Sequence, residues 1–184
     1  MKIPFTSNRF ILPAFAAALV SGCAGSQQPL ATIDYVDLDR FMGDWYVVAH
    51  IPTRPERRAY DALEQYTLRD DGRIDIRFSF CQGAHDGKRE TMEMLGWVHD
   101  RTTNAEWRVR PFWPLRLGYQ VLELDPDYSL TVIGHPSLRY AWVMARDPAV
   151  DPDTLAGVTA RLTERGFDTS RLREVPHAPD SCRG

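Results

Sequence analysis

The most regular stretch of the chain alternates by twos. Ile74, Ile76, Phe78 and Phe80 are apolar, and Arg73, Asp75, Arg77 and Ser79 between them are polar. That period predicts a strand with one face buried and the other in water. Related runs recur on both sides. Trp45–Ile51 is rich in aromatic and β-branched residues and stops at Pro52. Ala62–Arg69 leads into Asp70-Asp71-Gly72, a hairpin-type turn. Met92, Met94, Gly96 and Val98 share one face of the next run, Trp107 and Val109 one face of the following run, and Tyr119, Val121 and Glu123 one face of a sixth. Tyr128–Gly134 and Tyr140–Arg146 complete eight predicted strands between Asp44 and Arg146. Their connections are short, so neighbours should pair antiparallel in chain order. An open sheet of this size would leave two raw edges, which closure into an up-and-down barrel removes.

Helical signals flank the strands. Leu38–Met42 reads as a short helical turn, and Gly43 lets the chain bend into the first strand. Asp151 can cap a second helix, with Pro152 in its first turn and Gly166 at its stop. Leu155, Val158 and Leu162 give it one apolar face, expected to pack on the outside of the barrel. Arg171–Val175 reads as a short last strand. Residues 1–22 have the pattern of a leader: Lys2 and Arg9 precede the apolar run Phe10–Val20, too short to span a bilayer. Val20-Ser21-Gly22-Cys23 resembles the bacterial lipobox, which implies cleavage before Cys23 and a lipid on its thiol. Residues 23–33 then form an acylated tether and 34–184 the folded domain. Ala24 is non-acidic, which in lipoproteins of this type implies transfer to the outer membrane, on its periplasmic face. Two or three acyl chains, at about 0.8 kcal/mol per buried CH₂, would anchor the protein firmly.

Composition narrows the function. With 184 residues and 43% hydrophobic content the chain suits one domain with a sizeable core. The net charge of −3 becomes two units more negative without Lys2 and Arg9, so no basic footprint points to nucleic acid. Beside Cys23 only Cys81 and Cys182 remain, an even pair in an exported protein. They are expected to form a disulfide closing a loop of about 100 residues, worth roughly 4–5 kcal/mol in the chain-entropy model; two separate thiols are the alternative. The five histidines are scattered and none has metal-ligand spacing. No nucleophile-elbow, zincin or Cys-x-x-Cys motif is present. Neither a catalytic centre nor a cofactor is expected.

A barrel of eight strands has room for one small guest. The residues expected to face inward are Tyr66, Ile76, Phe78, Met92, Met94, Val98, Trp107, Val109, Tyr119, Val121, Tyr140, Trp142 and Met144. Their methionines suit a guest of variable shape. Glu64, Glu123, Tyr66 and Arg110 are candidates to meet a polar head, Arg110 only if Pro111 bends its strand. Residues 51–59, with three arginines, are either a lid or a solvated loop. The apolar turn 111–115 is expected near the same mouth, against lipid or a partner. Two other readings stay open: a barrel filled by its own side chains, serving as an envelope scaffold, and an enzyme that uses Glu64 or Glu123 on a lipophilic guest.

Three stretches carry a family resemblance. Gly43-Asp44-Trp45-Tyr46 matches a G-x-W motif, Leu124-Asp125-Pro126-Asp127-Tyr128 a T-D-Y-type turn, and Ala141–Arg146 a strand ended by an arginine. In their order and spacing they resemble the lipocalins, specifically the bacterial lipoprotein type close to apolipoprotein D. The resemblance covers roughly residues 34–175. It implies that Arg146 stacks on Trp45 to close the barrel base. It also implies a carried fatty acid or lysophospholipid, with envelope maintenance under stress as the setting. The sequence leaves a homodimer open.

Overall fold

A computed structural model describes residues 30–179 and 181–182. The leader, Cys23 and the tether up to Pro29 lie outside the described residues. The chain runs α1 (Leu38–Phe41), β1 (Gly43–Ile51), a 3-10 turn at Pro55–Arg58, β2 (Ala59–Leu68), β3 (Arg73–Gln82), β4 (Arg89–Asp100), β5 (Glu106–Arg110), β6 (Leu117–Leu124), β7 (Leu130–Gly134), β8 (Ala141–Ala145), α2 (Pro152–Glu164) and β9 (Arg173–Glu174). Strands β2 to β8 pair antiparallel in chain order, and β1 joins β8 to β2, closing the barrel.

Strand β1 closes the barrel in two halves. Gly43–Tyr46 pairs with β2, and Tyr46–Ile51 with β8. Where β1 parts from β2, the C-terminal tail fills the seam. Strand β9 pairs with Ala49 and His50, the Val175 amide donates to the Val48 carbonyl at 2.9 Å, and the Asp61 amide donates to the Pro176 carbonyl at 2.8 Å. Asp61 sits in a bulge of β2 with φ +50°. Its carboxylate accepts from the Ala178 amide at 2.6 Å and lies 2.7 Å from His85 Nδ1. The Cys81–Cys182 disulfide, with Cα atoms 5.3 Å apart, pins the tail to β3.

Two apolar cores follow from this closure. One lies inside the barrel and includes Phe41, Trp45, Tyr66, Trp107, Val121 and Met144. The other lies outside, where Val158 and Leu162 of α2 meet Val48, Leu122, Val132 and Val143. Asp151 caps α2, its carboxylate accepting from the Thr154 amide at 3.0 Å. Gly166 ends it at φ +90°, a conformation glycine adopts without strain.

The three motif stretches meet at the closed end. Arg146 lies 3.8 Å over the Trp45 ring. Its guanidinium donates to the carbonyls of Asp44, Arg40, Phe41 and Met42 at 2.6–3.1 Å. It thus ties the last turn of α1 to β1. Gly43 has φ +93°, a backbone conformation that glycine adopts without strain, which lets the chain bend into β1. Trp45 Nε1 donates to Phe41 O at 2.8 Å. Tyr128 belongs to the turn, φ +63°, rather than to the seventh strand. Its hydroxyl accepts from the Asp37 amide, and Arg40 lies 3.9 Å over its ring.

Candidate ligand-binding site

The barrel interior is solid below and hollow above. In the lower part, Phe41, Trp45, Tyr66, Trp107 and Tyr119 form an aromatic layer. Phe41 meets Trp45 and Trp107 at 5.2 Å between centroids, and Trp107 stacks on Tyr119 at 5.0 Å and 11°. Above this layer is a cavity of about 470 Å³. Ile76, Phe78, Met92, Met94, Val109 and Tyr119 form much of its wall, with Tyr140 and Trp142 toward β8. Phe112, Leu115, Leu117, Thr53, Pro55 and Glu56 also line it.

Of the residues expected to meet a guest, Glu64, Phe78, Met92, Met94, Val109, Tyr119, Tyr140 and Trp142 border the cavity, as does Ile76. Tyr66, Trp107, Val121 and Met144 do not. They are buried in the packed interior core, where their bulk is spent on the floor rather than on the wall. Val98 packs against the same core, and Arg110 is not among the lining residues.

Glu123 is a correction. Strand β6 carries a bulge between Val121 and Glu123. The extra residue breaks the alternation, so Leu122 packs into the outer core and Leu124 against the inner one. Glu123 consequently points outward, where Arg161 of α2 donates to both its oxygens at 2.8–3.0 Å and Arg165 lies 3.6 Å away. It pairs the helix to the barrel and is no part of the cavity.

Glu64 is the deep polar group. It is buried beside the aromatic layer, and Tyr66 donates its hydroxyl proton to Glu64 Oε2. The Tyr66 and Tyr119 hydroxyls stand 2.9 Å apart. Burial lifts the Glu64 carboxyl to about 7; the Tyr66 hydrogen bond opposes this and the Glu56 carboxylate adds to it. Burial also pushes both phenols well above their ordinary value, so they remain neutral donors.

Glu56 was not anticipated. It enters the cavity from the 3-10 turn between β1 and β2, so this loop contributes to the site while Arg54, Arg57 and Arg58 stay exposed. Its Oε2 accepts from the Thr53 amide at 2.7 Å and its Oε1 from Trp142 Nε1 at 3.0 Å. The legible signal was the Thr53-x-x-Glu56 spacing, in which a glutamate folds back onto an amide three residues earlier. Pro111, Phe112 and Leu115 line the cavity from the turn after β5. In that turn Phe112 and Trp113 are 66% and 82% exposed, a large apolar surface beside the opening.

An antiparallel barrel sealed at one end by an arginine over an indole, and hollow at the other, is an up-and-down barrel with a single guest-sized interior. A model of the lipocalin-like domain matches residues 36–177, and the chain belongs to the lipocalin family. The outer membrane lipoprotein Blc of Vibrio cholerae is 30% identical over 167 residues, covering 89% of this chain and 96% of that one. Temperature-induced lipocalin-1 of Arabidopsis thaliana is 28% identical over 161 residues, covering 83% and 85%. Insecticyanin of the tobacco hornworm Manduca sexta shares the fold, with a TM-score of 0.64 at 17% identity over 85% of this chain and 88% of that one.

Proposed function

We propose that this protein is an acyl-anchored lipocalin of the outer membrane that takes up a single-chain lipid, of the fatty-acid or lysophospholipid kind, in its barrel. The observation that carries the reading is the apolar cavity of about 470 Å³ above the aromatic floor. Burying ten methylenes there would contribute roughly 8 kcal/mol before ordering costs. The lipobox-like Val20–Cys23 supports the anchor, and the relative from Vibrio cholerae is itself named an outer membrane lipoprotein. The proposed tether, residues 23–33, would hold the folded domain at the periplasmic face, and exposed Phe112 and Trp113 would let its mouth touch the bilayer. The role is carriage of lipid for envelope maintenance, by binding rather than by catalysis.

The test is uptake of a fluorescent single-chain lipid by the purified domain. Wild type should bind one equivalent, and Met94→Trp, which fills the cavity, should weaken binding about tenfold or more with the fold intact by circular dichroism. Equal uptake by both would place the lipid elsewhere and overturn the reading.

A further inference from the structure

The charge lining the cavity is one-sided. Glu56 and Glu64 are 5% and 6% exposed. Among the described residues neither makes an ion pair, and no lysine, arginine or histidine lines the cavity. Glu93 also borders it, but its carboxylate turns to the outer surface, 3.6 Å from Arg77. Glu56 has both oxygens occupied by hydrogen bonds, whereas Glu64 uses only Oε2, and Oε1 is without a partner among the described residues. A buried carboxylate without a counter-charge is costly, and removing that cost favours a cation brought in by the guest. Once Glu64 is ionised, an anionic head in the same place would add a third negative charge to a water-poor space. The surrounding walls favour the same sign: Tyr119, Tyr140 and Trp142 line the cavity, and aromatic faces attract ammonium groups.

We propose that the guest of this barrel carries a positively charged nitrogen on its lipophilic body, seated against Glu64 and Glu56 between the aromatic walls. The inference rests on the carrier reading above and refines it. It selects ammonium-bearing amphiphiles over free fatty acids, whose carboxylates the two glutamates repel. Glu64 then acts as the counter-ion and Glu56 as a second, fixed carboxylate. Trp142 belongs to both roles, since it holds Glu56 through its Nε1 and also lines the cavity.

The groups bearing on Glu64 are Tyr66 on its own strand, Tyr119 from β6 and Glu56 from the turn before β2. The cavity residues of β3 and β5 and the methionines of β4 carry no titrating group. A head with a permanent charge should therefore bind more tightly as pH rises from 6 to 8 and Glu64 ionises.

The experiment compares three twelve-carbon probes by calorimetry: dodecyltrimethylammonium, dodecanoate and dodecanol, below their aggregation limits. At pH 8 the ammonium should bind about tenfold or more tightly than the carboxylate. Its affinity should rise between pH 6 and 8, while dodecanol stays level. Glu64→Gln, which keeps an acceptor for Tyr66, and Glu56→Gln should each erode the ammonium preference, with dodecanol binding reporting an intact cavity. Dodecanoate binding as tightly as the ammonium, or a preference untouched by both substitutions, would overturn the proposal and leave the carrier reading standing. Failure of all three probes to bind would overturn both.

Discussion

At the scale of single residues the closed end and the cavity floor ask for different tests. Arg146 donates to four carbonyls around α1, one of them shared with Trp45 Nε1, and covers the Trp45 ring. Arg146→Ala should cost about 2–3 kcal/mol in urea unfolding and change Trp fluorescence. Arg146→Lys should recover only a part, because an ammonium cannot fork over those carbonyls. Glu64 predicts a pH signature. Its folded value of about 7 lies above the ordinary 4.5, so the folded state holds the proton more tightly. The stability this contributes is full below 4.5 and is lost as pH rises through 7. His50 works in the opposite sense: burial, aided by Arg173, lowers it to about 4, so stability is lost as pH falls from 6.5. The two windows overlap, and the difference between wild type and Glu64→Gln isolates Glu64. That difference should decline across pH 4.5 to 7; a flat difference would mean that Glu64 is not held in a dry site.

At the scale of elements, the distinction between legible and illegible features becomes physical. Strand β3 was readable because one face meets the core and the other meets water, which leaves strict alternation in the residue types. Helix α2 was readable from its cap, its stop and its apolar face. The cavity wall was readable on the same parity argument, as Phe78, Met92, Met94 and Val109 show. Parity fails at a bulge. In β6 the extra residue after Val121 reverses the alternation, and nothing in Glu123-Leu124 marks that reversal. Depth along the barrel was equally illegible, since an inward residue near the floor and one in the wall share the same pattern; Tyr66 and Trp107 illustrate this. Glu56 was hidden because its loop reads as basic and solvated. Two predictions belong here. Glu123→Gln should leave uptake of a neutral probe within about twofold and cost less than about 1 kcal/mol, because its partner Arg161 is half exposed. Removing the Cys81–Cys182 bond by paired Cys→Ala should cost about 2–5 kcal/mol and free the tail for proteolysis, since that tail fills the seam between β1 and β2.

At the scale of the whole molecule the barrel has two unlike ends. The arginine-sealed base gives rigidity and the aromatic floor sets the depth. The open end brings together the cavity, an exposed Phe112-Trp113 surface and a turn that carries Glu56. If that rim meets lipid, replacing Phe112 and Trp113 by Ser should lower binding of the unacylated domain to liposomes severalfold with stability unchanged. On the reading proposed above, the hollow upper barrel holds a lipophilic guest. Native mass spectrometry of the full-length protein, purified in mild detergent, tests this most directly. The expected result is a one-to-one adduct of single-chain lipid mass that is displaced by a twelve-carbon competitor. Bare protein in every preparation, with no uptake of added lipid, would contradict it.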